Sequence, residues 1–266
     1  MGRPSSIVLL TGAGISAESG LRTFRGTDGL WENHRVEEVA TPEAFAREPA
    51  LVQRFYNERR RQLREVEPNP AHAALARLDQ AWRGDLLLVT QNVDDLHDRA
   101  GSRRLVHMHG ELRKARCLAC RTVHPWEDDL GPSSRCPACG VPGRLRPHIV
   151  WFGEVPLDMD RIFAALERCD LFVAIGTSGW VHPAAGFVQA VPSHARTLEL
   201  NLESSHVSGR FQERRIGAAG DTVPWQPRVA GQRDAIPGKA LWIRFDAIHA
   251  NGDDWFLVVD SAGVDQ

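Results

Sequence analysis

Four cysteines stand in two pairs, Cys117 with Cys120 and Cys136 with Cys139, two residues inside each pair and fifteen between the pairs. This is the spacing of a tetrahedral four-thiolate zinc site. Four thiolates close the coordination sphere and leave no position for water or substrate, so one structural Zn2+ is expected, holding the segment folded and doing no chemistry. The segment needs that help. It carries "GPSS" and few apolar residues, and a structural zinc supplies on the order of 10 kcal/mol. The fifth cysteine, Cys169, precedes an apolar run and reads as a core residue.

A second group of residues could do acid–base chemistry. In "TQNVDDLH", Gln91, Asn92 and Asp94 follow directly on an apolar run, and His107 and His109 follow in "HMHGEL". An amide, a carboxylate and an imidazole at strand ends are what a polar catalytic pocket requires, and imidazole alone titrates near neutrality without help. His97 and His107 read more simply as capping or turn residues. A third motif, "GAGISA" from Gly12 to Ala17, fits G-x-G-x-x-A. There Gly12 permits a tight turn, Gly14 lets backbone approach a pyrophosphate, Ala17 allows close helix packing, and the helix start offers N–H groups to an anion. The acidic residue that ordinary dinucleotide folds carry some 20 residues later has no place here, because a long helical insert follows. A hydride-transferring dehydrogenase is therefore disfavoured.

"FYNERRRQL" holds Tyr56, the only tyrosine of 266 residues, and Arg59 three positions on. On a helix they share a face and offer a phenol beside a guanidinium. The alternative is a solvated arginine-rich face with Tyr56 as edge packing, and Arg60, Arg61 and Arg64 are expected to form such a face.

The elements that must position these groups are legible. "SIVLL", "GDLLLVTQN", "CDLFVAIGTS" and "RTLELN" are short apolar runs that give way to polar residues, the pattern of buried parallel strands with a ligand at their carboxyl ends. Helices are expected to start at Thr41 with Pro42, at Pro49, and at Asn69 with Pro70. The fold class is α/β, a Rossmann-like parallel sheet carrying a smaller inserted part made of a helical module and a four-cysteine module. With 42% hydrophobic and 25% charged residues the chain is ordinarily globular. A net charge of -2, with Lys114 and Lys239 the only lysines, gives no basic field for nucleic acid. No apolar run reaches the roughly 18 residues of a membrane span, nor does the N-terminal one suit a signal peptide. A soluble cytoplasmic protein is the expectation; oligomeric state is not readable.

Taken in order, "TGAGISAESGLRTFRG", "TQNVDDLH", "HMHGEL", the cysteine pairs, "RPHIVWFGE", "IGTS" and "NLE" resemble the sirtuins, over about residues 6 to 225. Within them the chain is similar to the bacterial branch akin to the desuccinylase type. The resemblance implies NAD-dependent removal of an acyl group from protein lysine side chains, giving nicotinamide, free lysine and O-acyl-ADP-ribose. It implies His109 as general base through the ribose hydroxyls, Asn92 positioning a ribose hydroxyl or water, and Asp94 with the Val93 backbone on the nicotinamide carboxamide. Phe24 would shield the reactive ribose face and Arg25 would meet the phosphates. Gly12, Ala13, Gly14, Ala17, Gln91, Gly176, Thr177 and Ser178 would line the cofactor, with Asn201, Glu203 and Ala219 toward the adenosine. Val150, Phe152, Gly153 and Glu154 would hold the acyl-lysine backbone as an added strand. Ala40, Tyr56 and Arg59 would line a deep acyl pocket suited to succinyl and malonyl carboxylates.

The implied division is a catalytic domain over 1–226, with Rossmann-like parts at about 5–25, 83–112 and 147–226, a helical insert at about 26–82 and a zinc module at about 113–146. Residues 227–266 form an extension whose role the resemblance does not reach. Two other readings share the glycine turn: mono-ADP-ribosyl transfer to protein, and a sensor that binds NAD or ADP-ribose without turning it over.

Overall fold

Ile7 and Leu9 turn to one face of the first strand and Val8 and Leu10 to the other, as the period of two requires, and each set is buried in a separate apolar cluster. Both faces of the sheet are therefore covered, which is why its strands read as continuous apolar runs. The computed structural model describes residues 4–22, 30, 31 and 34–217. Phe24, Arg25, Ala219 and the 227–266 extension lie outside the described residues.

In chain order the strands are β1 (Ser6–Thr11), β2 (Leu30–Trp31), β3 (His34–Arg35), β4 (Asp85–Thr90), β5 (Leu105–His107), β6 (Gly110–Cys117), β7 (Val123–Pro125), β8 (Leu145–Ile149), β9 (Leu171–Ile175), β10 (Arg196–Asn201) and β11 (Glu213–Ile216). The α-helices are α1 (Val36–Val39), α2 (Pro42–Arg47), α3 (Pro49–Gln62), α4 (Pro70–Ala81), α5 (Leu96–Ala100), α6 (Met159–Leu166) and α7 (Phe187–Ala190). Six strands form one parallel sheet in the order β11-β10-β9-β1-β4-β5. From β1 the chain runs outward through β4 and β5, then returns to β9 on the other side of β1. Strand order reverses there, and such a reversal opens a crevice at the strands' carboxyl ends.

Leu75 and Leu78 of α4 cover one face of the sheet; Ile162 and Leu166 of α6, with Phe187, cover the other. Cys169 belongs to the second cluster, as expected of a core residue. The helix caps form as the sequence predicts. The Thr41 hydroxyl accepts from the Ala44 N–H at 3.0 Å, and the Asn69 side chain accepts from the Ala71 and His72 N–H groups at 3.0 and 3.3 Å. The Asn69 N–H in turn donates to the His72 ring at 3.3 Å, a reciprocal cap that fixes His72 as well as the helix start.

A second body packs over the carboxyl end of the sheet. Helices α1–α3 enclose Val39, Val52, Phe55, Tyr56 and Leu63 against Leu112, Ile149 and Trp151. The antiparallel sheet β7-β6-β8 carries the cysteines. One expectation is overturned in this body. Arg61 and Arg64 are exposed, but Arg60 is only 1% exposed and donates from Nε to the Leu112 carbonyl at 2.8 Å and from Nη1 to the Asn57 side chain at 2.9 Å. Loop 127–130 covers that face of α3, and no helical periodicity within α3 announces a cover supplied from so far along the chain.

Candidate active site and metal centre

The strand-order reversal brings the glycine turn after β1 against the loop after β9. A Cβ on Gly12 would lie 2.7 Å from the Gly176 carbonyl oxygen, and one on Gly14 would lie 2.7 Å from the Gly176 Cα. The Gly12 N–H donates to Ile175 at 3.0 Å and the Gly14 N–H to Gly176 at 2.8 Å. The protein's own backbone thus requires both glycines, and these two N–H groups are committed to it. The helix that follows is a seven-residue 3₁₀ helix, Ala13–Ser19.

Ser16 on that helix is a hub the sequence reading missed. Its hydroxyl donates to Asp94 Oδ2 at 2.9 Å and accepts from the Asn92 amide at 3.0 Å, and the His72 ring lies 3.4 Å away. Asp94 also accepts from the Leu96 N–H at 3.1 Å. Burial pushes its carboxyl pKa up, only partly offset by these bonds. The available signal was a hydroxyl residue inside a glycine turn, a place where only small side chains fit.

His109 stands at the start of β6, opposite this cluster. Its Nδ1 lies 3.0 Å from the Gln91 carbonyl oxygen. A carbonyl only accepts, so Nδ1 carries the proton and Nε2 keeps its lone pair. Burial pulls the imidazole pKa below its ordinary value, and the Gln91 bond restores only part. The ring is accordingly neutral at pH 7, a base with one nitrogen ready.

The other two histidines are neither caps nor turn residues. His97 is buried with Nε2 3.0 Å from the Thr11 hydroxyl, its ring edge-on to His72 at 4.8 Å. His107 pairs with Asp98 at 2.9 Å; burial would lower its pKa, but the Asp98 hydrogen bond and charge outweigh it and raise the value.

Tyr56 and Arg59 project from α3 into the same space. The Tyr56 oxygen accepts from the Trp151 indole at 2.9 Å, and full burial drives the phenol pKa far up, so the hydroxyl keeps its proton. Arg59 is 9% exposed. Its Nε donates to Gln62 at 3.0 Å, while its buried Nη1 finds no hydrogen-bond partner among the described residues. Ala40 closes this end and accepts from the Phe152 N–H at 3.0 Å; the Val150 N–H donates to the His109 carbonyl at 2.8 Å. The loop 150–154 therefore joins the His109 backbone to the helical module. Within it the Glu154 carboxylate is spent on the fold: it holds Arg146 at 2.8 and 2.9 Å and the Trp151 N–H at 2.9 Å. Trp151 is a further residue to which the sequence reading gave no role.

At the other end, Thr177 accepts from the Gln91 amide at 3.2 Å through its hydroxyl and from the Asn201 amide at 2.8 Å through its carbonyl. Every described residue assigned to the catalytic, cofactor and acyl sites from sequence borders one cleft of about 920 Å³, with Glu203 at its β10 end.

The cysteines converge elsewhere, in the antiparallel module. All four sulfurs lie within 4.8 Å of one another, with Cys117 to Cys139 at 3.7 Å and Cys120 to Cys136 at 3.6 Å. A tetrahedral ion with metal–sulfur bonds of about 2.3 Å demands edges of about 3.8 Å, so the donor set fits one Zn2+. Each pair ends in the same turn. The Arg121 N–H donates to the Cys117 carbonyl and the Gly140 N–H to that of Cys136, both residues at left-handed φ, 65° and 72°. Substituting Cys136→Ser is expected to release the zinc and leave the stretch between residues 117 and 145 open to protease. Dye-based zinc titration with limited trypsin digestion checks this; full zinc retention would contradict it.

A sequence profile described as the Sir2 family matches residues 12–183. The NAD-dependent protein deacylases of Pasteurella multocida and Escherichia coli K12 are 60% and 58% identical over 221 residues, spanning 82% of this chain and 94% and 79% of theirs. Among solved structures, a Sir2 homolog–NAD complex aligns with a TM-score of 0.75 at 41% identity, over 82% of this chain and 86% of that one. A Sir2–p53 peptide–NAD+ structure aligns with a TM-score of 0.69 at 26% identity, over 82% and 90%.

Proposed function

Since the chain belongs to the Sir2 family and is an NAD-dependent protein deacylase, we propose that it removes succinyl and malonyl as well as acetyl groups from lysine. His109, Asn92 and Asp94 serve the reacting end of the cleft, and Ala40, Tyr56 and Arg59 its acyl end. The observation that carries the acyl assignment is Arg59 Nη1, a buried guanidinium nitrogen without an acceptor among the described residues. Leaving such a donor unmatched costs about 1 to 3 kcal/mol or more, a cost that a terminal carboxylate on the substrate removes and a neutral acetyl does not. The catalytic domain spans residues 1–226 in this reading.

NAD, when bound, supplies the electrophilic ribose carbon from which nicotinamide leaves. The chain's own part is to orient and to move protons. Held by Gln91 with Nε2 unprotonated, His109 takes a hydroxyl proton as general base. Ser16 pins the Asn92 amide and the Asp94 carboxylate together, so the ribose-facing and carboxamide-facing groups are set by one hydroxyl. Gly12 to Gly14 and Gly176 to Ser178 border the phosphates and ribose, Asn201 and Glu203 the adenosine. Val150, Phe152 and Gly153 offer backbone groups to the peptide as a neighbouring strand, on a loop that Glu154 braces.

The pH profile follows from His109. The group acts unprotonated and its pKa lies below the ordinary 6.5, so kcat/KM falls only as pH drops through that lowered value and is flat through neutrality. A profile on acyl-lysyl peptide with its acid limb centred at or above about 6.5 would contradict this. The acyl assignment is tested by supplying NAD with succinyl-lysyl and acetyl-lysyl peptides of one sequence. Nicotinamide and deacylated peptide are expected in equal amounts from both. Turnover of acetyl-lysine alone would overturn the acidic-acyl reading, and label transferred onto protein in place of deacylation would favour ADP-ribosyl transfer.

A further inference from the structure

Helix α3 presents two functional arcs, about 100° apart round its axis by the helical period. Val52, Tyr56 and Arg59 occupy one, with Leu63 just past the helix end beside them; Gln53, Asn57 and Arg60 occupy the other. The first arc borders the cleft and its apolar lining. The second grips the four-cysteine module through fixed polar contacts. Asn57 makes a two-pronged pair with the backbone of Leu130, donating to its carbonyl at 2.9 Å and accepting from its N–H at 2.8 Å. Arg60 reaches the Leu112 carbonyl at 2.8 Å and the Asp128 carbonyl at 3.2 Å, and Gln53 reaches the Leu145 carbonyl at 3.2 Å. Asn57 and Arg60 are 6% and 1% exposed.

The chain of contact continues on both sides of this seam. The Leu130 side chain is packed with Cys117, Cys136 and Leu145 in the module's own core. The Leu112 N–H donates to Val93 at 2.8 Å, so Arg60 touches a residue tied to the polar segment after β4. A guanidinium buried so deeply, whose pKa burial lowers to about 10, is costly to leave without its partners.

We propose that Asn57 and Arg60 are positioning residues that transmit the order of the cysteine module to the acyl pocket, setting the depth and tilt at which α3 presents Tyr56 and Arg59. The inference rests on the acyl-pocket reading given above. It explains why a metal site with no open coordination position is built against the helix that reads the acyl group. The seam meets backbone carbonyls of the module at Leu130, Asp128 and Leu145, and these move if the thiolate cluster loosens. Small displacements matter, because a carboxylate and a guanidinium lose their charge-assisted geometry within about 1 Å.

The test uses the full-length protein as purified with zinc, in the variants Asn57→Ala, Arg60→Met, Arg59→Met and, as a control on an exposed pair, Arg61→Ala. For each, zinc content, KM for NAD, and KM and kcat for succinyl- and acetyl-lysyl peptides are measured. Asn57→Ala and Arg60→Met are expected to keep one zinc per chain and the KM for NAD within about twofold, while KM for succinyl-lysyl peptide rises about tenfold and kcat holds. Arg61→Ala is expected to change nothing, since an exposed ion pair contributes little. If Arg59→Met shifts acyl preference but neither seam variant moves the succinyl KM, the coupling is refuted and the acyl reading survives. Should Arg59→Met itself leave acyl preference untouched, the acyl reading fails, and the coupling with it. A seam variant that loses zinc, or whose NAD KM rises as far as its peptide KM, also refutes the proposal, because the residues would then be general supports.

Discussion

His109→Ala is expected to lower kcat on succinyl- and acetyl-lysyl peptides alike, by about 10² to 10⁴, the range a positioned general base supplies. In the proposed mechanism the loss is common to both substrates, because the imidazole acts on the ribose that both share and the acyl groups differ only at their far ends, toward Tyr56 and Arg59. Its local bonding makes the substitution clean. Among the described residues only the Gln91 backbone carbonyl, at the cleft wall, loses a side-chain donor, so the folded state is little disturbed. Single-turnover deacylation with a thermal melt measures both. An alanine variant that deacylated at the wild-type rate would remove His109 from the mechanism. His109→Gln supplies a second check, since it can keep a donor to Gln91 but offers no base.

The second large effect is one of selectivity. Arg59→Met is expected to reduce kcat/KM for succinyl-lysyl peptide by tenfold to a hundredfold or more and to leave acetyl-lysyl peptide within about twofold. Each charge-assisted hydrogen bond contributes about 1.5 to 3 kcal/mol, and the ratio of rate constants converts that directly. Stability should hold, because methionine fills the stem's volume, and loss of the Nε bond to Gln62 and of the Nη2 pair with the exposed Glu58 at 3.7 Å is offset by removing the buried Nη1, which has no hydrogen-bond partner among the described residues. Tyr56→Phe moves selectivity in the same direction but is the less clean probe. It deprives the Trp151 indole of its acceptor at 2.9 Å in a fully buried position, so part of its effect is destabilisation. Equal losses on both peptides from Arg59→Met would defeat the acidic-acyl assignment.

Much of this was readable in one dimension. The runs at 6–10, 85–90, 171–175 and 196–201 are the central strands of the sheet; the first three are apolar on both faces, while the last alternates and buries Thr197 and Glu199 as well as Leu198 and Leu200. Thr41 and Asn69 cap where their side-chain oxygens and the prolines after them predict. The cysteine spacing foretold a cluster whose sulfur separations suit zinc. Less legible was the fate of polar residues on helices. Arg60 and Arg61 are neighbours in the sequence, yet one is buried beneath loop 127–130 and the other pairs with Asp129 in solvent. Glu154 borders the cleft as its loop was expected to, but the partners that hold its carboxylate, Arg146 and the Trp151 N–H, could not be read from the sequence. Ser16 was passed over inside its own motif.

The chain's linear order was enough to determine what depends on neighbours in sequence: strand burial, helix starts, the thiolate spacing, and the set of polar groups at strand ends. Those properties arise from side-chain period, local hydrogen bonding and ligand reach over a few residues. Tertiary structure alone decided which nitrogen of His109 keeps a lone pair free, since a carbonyl eighteen residues away assigns the proton to the other. It also decided that Ser16 joins Asn92 to Asp94, and that α3 has one face for the cleft and another for the cysteine module. Each of these is a contact between segments far apart in sequence, where burial turns a modest hydrogen bond into a fixed orientation.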